Sequence, residues 1–139
     1  MEREARLEAF GLADEAALIG LADAVLSSWS VEITRGPTVG LLMVRVEEPS
    51  QRLPFNFTEV TVSEAEVAAD SHRGYAMVMG KSPERAVAGA VLDVAIEAGH
   101  PLAPRIEAFL EIAVEAGAAE WRRRFDAVAP TLVRFEDVT

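Results

Sequence analysis

Cysteine is absent from this 139-residue sequence, which excludes a disulfide framework, a thiolate nucleophile and a cysteine-held zinc or iron–sulfur cluster. Long apolar runs are absent too. None approaches the ~20 residues that a membrane span requires, and the first six residues lack the basic-then-apolar layout of a signal peptide. We therefore expect a soluble, cytoplasmic protein that does not bind membranes.

Positive charge is scarce. Lysine and arginine number 13 against 23 acidic residues, and the net charge is −10. Contacts with nucleic-acid phosphates require a basic face, so this balance argues against nucleic acid as the main partner.

Aromatic residues are also few, at 6%, while alanine and valine dominate the apolar half of the composition. A chain of this length fits one domain, residues 1–139, and buries about two-thirds of its unfolded surface. Small apolar side chains each bury little area, so such a core gains less per residue than one of leucine and phenylalanine. We expect the Ala/Val-rich faces to be partly buried by a partner subunit.

The periodicity predicts two helices between Arg3 and Trp29, interrupted near Gly11, with Asp14 or Ala13 at the start of the second. Four strands are predicted next: residues 31–34, 40–47, 55–69 and 75–79. The first two are separated by a turn at residues 35–38, and the others by loops at 48–54 and 70–74. The second strand is apolar on both faces, which predicts a central strand or one covered on both sides. A bulge near Glu59 explains the change of alternation in the third strand.

Two further helices follow. Ser82, Pro83 and Glu84 form a strong helix start, and a last helix runs from about Pro104 to Val128. Trp121 and Phe125, four residues apart on it, are expected to pack in the core. The sequence thus predicts an α+β fold, an antiparallel four-stranded meander over about residues 31–80 flanked by two N-terminal and two C-terminal helices.

The chain carries no motif of a self-contained active site. Its two histidines, His72 and His100, lack partners at metal-binding spacing. The sequence has no nucleophile elbow, P-loop or dinucleotide-binding glycine pattern. We therefore expect no metal, no cofactor and no catalytic residue.

A sparse set of basic residues lies at strand ends in the middle segment. Several of these are expected to converge at one end of the sheet, beside the helix that starts at Ser82, where free N–H groups favour an anion. The alternative is polar punctuation between strands. The candidates for a substrate-facing or subunit-facing surface are Arg35, Arg45, Asn56, Glu59, Lys81 and Arg85.

The same segment resembles a known family. Residues 35–45, 54–62, 74–81 and 86–93 resemble, in order and spacing, the corresponding blocks of PhnG, a small subunit of the bacterial carbon–phosphorus lyase system. Phe55-Asn56 followed by Glu59-Val60-Thr61-Val62 is the most specific part. The resemblance covers roughly residues 31–95.

The resemblance implies an accessory or assembly role. PhnG works with PhnH-, PhnI- and PhnL-like proteins to displace adenine from ATP by an alkylphosphonate such as methylphosphonate, which yields ribose 1-methylphosphonate 5-triphosphate. It also joins a core complex with PhnH-, PhnI- and PhnJ-like subunits. Two alternatives remain: a stand-alone module that binds an anion or nucleotide, and a homo-oligomer such as a homodimer.

The chain departs from the family pattern at several charged and glycine positions, among them a loop. Residues 49–52 read Pro-Ser-Gln-Arg where family members usually carry Gly-Gly-Thr-Gly, and the length is preserved. Proline and side chains forbid some of the conformations that glycine permits.

Overall fold

The computed structural model describes residues 1–129, apart from the side chains of Val46, Phe55, Asn56 and Phe57. The elements in chain order are α1 (Arg3–Leu12), α2 (Glu15–Leu26), β1 (Glu32–Glu47), β2 (Pro54–Ala69), β3 (His72–Met79), α3 (Pro83–Glu97) and α4 (Ala103–Val128). The described strands form one antiparallel sheet in the order β1-β2-β3. The α+β class and the meander are confirmed, but the described sheet has three strands and not four.

The first two predicted strands are a single strand, β1. The predicted turn at residues 35–38 is instead a bulged stretch of β1, where the register against β2 shifts between Arg35 and Thr38. Gly36 has φ +81°, and a Cβ there would lie 2.8 Å from the carbonyl oxygen of Glu64. Pro37 lacks an N–H group, and a bulge is one of the places where a strand tolerates it. Residues typical of a turn are therefore absorbed because β2 continues without interruption opposite them.

β2 is one long strand with the predicted irregularity. The register shifts where Val44 pairs with Thr58 and Arg45 with Asn56, which leaves Phe57 as the extra residue. The bulge therefore lies within two residues of Glu59, and this prediction is confirmed.

The loop between β2 and β3 is shorter than predicted. Only Asp70 and Ser71 connect the two strands, because Ala69 already pairs with His72. Both loop residues have positive φ, 47° and 65°, the pattern of a two-residue type I′ hairpin. Residues 72–74 consequently belong to β3.

The helices cover one face of the sheet. On β2 the residues of this covered face alternate with half-buried ones, and α3 packs directly against β3. Gly74 makes this approach possible, because a Cβ there would lie 2.2 Å from the carbonyl oxygen of Ala90. The fully covered residues of the sheet and of α3 are mostly small: Ala65, Val67, Ala69, Ala76, Val78, Ala86, Ala88, Ala90, Val91, Val94 and Ala95.

This packing corrects one expectation. The Ala/Val-rich faces are not a subunit surface, because the chain buries them against its own helices and sheet. Their small size serves the close approach of α3 to β3.

Buried charge joins α1 to this core. Asp93 on α3 is fully buried and accepts hydrogen bonds from Arg6 Nε at 2.8 Å, from Arg3 Nη2 at 3.0 Å and from the backbone N–H of Tyr75 at 2.9 Å. Arg6 also contacts the Glu97 carboxylate. Asp93 therefore links α1, α3 and β3.

Candidate functional site

The six residues predicted from the sequence do not meet at one place. Arg35 and Arg45 lie ten positions apart on β1, which separates them by about 30 Å. Glu59 pairs with Met43 and Asn56 with Arg45, so both belong to the same end of the sheet as Arg45. The side chain of Asn56 lies outside the described part of the structure. No single small ligand spans Arg35 and Arg45.

Arg85 is engaged inside the chain. Its guanidinium donates to the carbonyl oxygens of Phe10, at 3.0 Å, and of Ala13. These carbonyls end α1, and helix C-termini leave such groups without intrahelical partners. Arg85 thus fixes the end of α1 in the structure. Lys81, four residues before it, is exposed.

The start of α3 is occupied by acid. Ser82 is the N-cap residue, as predicted, but its side chain makes no capping hydrogen bond. Its hydroxyl instead donates to the Glu15 carboxylate at 2.8 Å, and its backbone N–H donates to Ser63 Oγ at 2.8 Å. Glu84 adds a second carboxylate in the first turn. Two carboxylates disfavour an anionic ligand at this helix end.

Arg35 belongs to a polar cluster on the open face of the sheet, the face turned away from the helices. Glu64 accepts hydrogen bonds from the Tyr75 hydroxyl at 2.7 Å and from Arg35 Nη2 at 2.9 Å. The Tyr75 hydrogen bond and the Arg35 charge hold the pKa of Glu64 below its usual value. Burial, with the hydrogen bond to Glu64, raises the pKa of Tyr75 to about 12.

Beyond this cluster β1 and β2 run past the end of β3. The last residue of β3, Met79, pairs with Val62, which in turn pairs with Gly40. Residues 40–61 therefore form a two-stranded projection, which we call the hairpin arm. Arg45, Asn56 and Glu59 all lie on it.

The hairpin arm carries large apolar side chains on both faces. Side chains alternate between faces along a strand, so Leu41 and Met43 point one way and Leu42 the other. Leu41 is 69% exposed, Leu42 44% and Met43 46%. The sequence predicted a central strand here, or one covered on both sides; in the described chain β1 is an edge strand with both faces in water.

The open face of the sheet continues this apolar surface. Val60 pairs with Leu42, and Met79 beside Val62 is 75% exposed. Farther along this face the charges are paired, Arg35 with Glu64 and Arg73 with Glu66 at 3.7 Å. An uncharged patch thus adjoins a band of balanced charge.

The tip of the arm is closed by a carboxylate. Glu48 accepts hydrogen bonds from the backbone N–H of Ser50, at 2.9 Å, and of Gln51, at 2.7 Å. The Ser50 hydroxyl donates to it as well, and these hydrogen bonds lower the pKa of Glu48. The loop where the sequence departs from the glycine-rich family pattern is therefore ordered by Glu48, with Arg52 at φ 55°.

The second half of α4 carries another exposed apolar stripe. Trp121 is 68% exposed and Phe125 48%, so the expectation that they pack in the core is wrong. α4 has its fully buried residues, Ile106 and Leu110, in its first half, and the helix extends beyond the body that it packs on. Beside the stripe, Arg123 and Arg124 pair with Glu120.

An apolar groove lies between α2 and α3. It has a volume of about 410 Å³ and is lined by Ile19, Leu26, Val87 and Val91, with Pro37 of β1 at one side. Asp23 and Glu84 lie at its border, which makes it unsuited to an anion.

Over residues 1–129, the structure contains no group of three or more histidine and acidic side chains placed to hold a metal ion. His72 Nδ1 lies 2.8 Å from the Asp70 carbonyl oxygen, and His100 packs against Trp29 with ring centroids 5.3 Å apart. In the same range no helix is both long and apolar enough to cross a membrane.

Comparison with protein-family models identifies the family of this chain. A family model described as "Phosphonate metabolism protein PhnG" matches residues 1–139, the whole chain. None of the curated proteins matches the sequence.

Proposed function

This chain belongs to the PhnG family and has a role in phosphonate metabolism, and we propose that it acts there as an accessory subunit of a cytoplasmic carbon–phosphorus lyase core complex. The complex transfers an alkylphosphonate onto the ribose C1 of ATP and releases adenine. Its other subunits are PhnI-, PhnH- and PhnJ-like proteins.

One observation carries the accessory role. Among the large apolar side chains that the described chain exposes, two groups lie on projecting elements: Leu41, Leu42, Met43 and Leu53 on the hairpin arm, and Trp121 and Phe125 on the second half of α4. Water-exposed leucine, methionine and tryptophan side chains on projecting elements favour contact with other subunits. The core itself is complete without them.

The six candidate residues divide accordingly. Arg45, Asn56 and Glu59 on the hairpin arm face another subunit in our proposal. Lys81, exposed after β3, adjoins the base of the arm, since the neighbouring Gly80 N–H donates to the Thr61 carbonyl oxygen at 2.7 Å. Arg35 and Arg85 have partners within the chain and order its fold.

The test is reconstitution. The chain is co-expressed with its neighbouring gene products, the assembly is purified through a tag on another subunit, and adenine release from ATP and methylphosphonate is measured. We expect adenine release from the full assembly, little from an assembly lacking this chain, and none from the chain alone. Equal rates with and without the chain would contradict the proposal.

A further inference from the structure

The outer edge of β1 is unpaired in the part of the chain that the structure describes, because the sheet order leaves β1 at the margin. An edge strand presents a row of free N–H and C=O groups that pair readily with another extended segment. Proteins ordinarily protect such edges with charge, proline or bulges.

The first half of β1, residues 32–38, has all three of these protective features. Two register shifts interrupt it between Ile33 and Thr38, Pro37 contributes no N–H, and Arg35 adds a charge. Pairing by a further strand is therefore blocked in this half.

The second half of β1, from Gly40 onward, begins with a segment that lacks these features. Residues 40–44, Gly-Leu-Leu-Met-Val, contain neither charge nor proline, and they pair with residues 58–62 of β2 without a register shift. Gly40 leaves open space, since a Cβ there would meet no atom within 4 Å. This segment of the edge is therefore regular, has no register shift, and leaves room for the backbone of another strand.

The faces of the same segment restrict what covers it. Leu41 and Met43 are exposed on one face and Leu42 on the other. Edge-to-edge pairing of two copies of this chain would cover the edge but leave Leu41 and Met43 in water. Covering both faces requires an apolar wall on each side.

The distribution of charge also favours a different polypeptide, and not a second copy of this chain, as the partner of the edge. The hairpin arm holds two arginines and three glutamates, a net charge of −1, whereas the rest of the chain carries −9. Residues 40–44 themselves carry no charge, so this segment enters an uncharged site at low desolvation cost, whereas the acidic bodies of two copies repel one another.

We propose that residues 40–44 of β1 bind an extended, uncharged segment of another subunit as an added β-strand, with apolar walls of that subunit on both faces of the hairpin arm. Backbone hydrogen bonds supply the affinity, and the pockets for Leu41 and Leu42 supply the specificity. That the subunit belongs to the phosphonate complex rests on the function proposed above.

Amide hydrogen exchange tests the added strand. The full chain is compared alone and in the assembly co-purified from cells that express the neighbouring gene products. Alternate amides of residues 40–44 point outward from an edge strand, so we expect their exchange to slow at least about tenfold in the assembly. Amides at Ile33 and Thr34 lie in the half of β1 where the register shifts block strand pairing, so their exchange is expected to change little.

Side-chain variants test the walls. Leu41→Glu and Leu42→Glu each place a charge on one face of the arm, and we expect each to lower the yield of co-purified partner about tenfold or more. Ile112→Glu is the matched control, because Ile112 is 66% exposed on α4, away from the arm. All three positions are exposed, so circular dichroism is expected to show an unchanged fold.

The outcomes separate the two proposals. Protection at residues 40–44 together with loss of partner in both arm variants supports the added strand, even if the partner proves to have no part in phosphonate metabolism. A partner that co-purifies without protecting these amides overturns the added strand and leaves the accessory role. Protection in the chain alone, with a dimer in solution, or no recovered partner at all, also overturns it.

Discussion

At the scale of the residue, the polar cluster of Glu64, Tyr75 and Arg35 shows how hydrogen bonds stabilise a carboxylate on the open face of the sheet. Glu64 is the common acceptor, and it is half-buried between a phenol and a guanidinium. The phenol donates only while it is protonated, and the carboxylate accepts most strongly from both partners while it is ionised. Each group therefore stabilises the ionisation state that the other needs.

This cluster predicts a pH dependence with a definite sign. Because its folded-state pKa is raised from 10.0 to about 12, Tyr75 contributes stability that is present below pH 10 and is lost as pH rises towards 12. Because its pKa is lowered, Glu64 contributes stability that is present above its ordinary pKa and is lost as pH falls through the folded value.

Tyr75 is the single tyrosine of the chain, so absorbance of the phenolate near 295 nm reports it alone. We expect a titration midpoint of about 12, and a lower midpoint, between 10 and 12, in Glu64→Gln. Burial remains in this variant, so the midpoint is not expected to fall fully to 10. A wild-type midpoint near 10, with circular dichroism showing a folded chain, would contradict the hydrogen bond.

At the scale of the element, the contact between α3 and β3 determines the packing. Gly74 has the Ala90 carbonyl oxygen and the Val94 backbone nitrogen within 2.2 and 2.6 Å of the position of a Cβ. These are backbone atoms, so no side chain can move aside. Gly89 lies on the other side of the contact, where a Cβ would come within 2.9 Å of the Ala76 Cβ.

We expect Gly74→Ala to lower the free energy of unfolding by about 3 kcal/mol, because α3 has to move away from the sheet to admit one methyl group. Gly20→Ala is the matched control. Gly20 lies inside α2 with open space around it, so the change is expected to raise stability by about 1 kcal/mol. Urea unfolding of both variants measures the difference. Equal effects at the two positions would mean that α3 does not approach β3 this closely.

At the scale of the whole molecule, Asp93 holds together elements that are far apart in sequence. Its carboxylate binds α1 through Arg3 and Arg6 and the edge of β3 through the Tyr75 N–H. In the part of the chain that the structure describes, no buried side-chain nitrogen or oxygen is left without a hydrogen-bond partner. This satisfaction makes the ion pairs tolerable in a core of alanine and valine.

We expect Asp93→Asn to cost about 3 kcal/mol or more, because it leaves the buried Arg6 guanidinium without its main counter-charge. Glu107→Gln is the control. Its carboxylate pairs with the N-terminal amine at 3.6 Å and is a third exposed, so we expect less than about 1 kcal/mol. Chemical denaturation measures both. A loss at Asp93 no larger than at Glu107 would contradict the linking role.

Local sequence features are enough to predict the fold class and the family of this chain. Helical periodicity, the cap at Asp14 and the bulge near Glu59 are local features, and each is present where predicted, with the Asp14 side chain accepting from the Ala17 N–H at 3.0 Å. The blocks of residues that resemble PhnG lie along the chain in order, and the family match extends over all of it.

The number of strands and the exposed apolar surface depend on contacts between elements that are distant in sequence. Gly36 and Pro37 suit a turn or a bulge equally well, and the unbroken strand opposite them selects the bulge. The apolar pattern at residues 40–44 indicates that both faces are suited to burial. It does not indicate whether this chain or another chain buries them. That depends on how far β3 reaches, and β3 ends at Met79, at the base of the arm. Solvent exposure depends on which residues are neighbours in space. For residues 40–44, the folded chain has too few neighbouring residues to cover the apolar side chains.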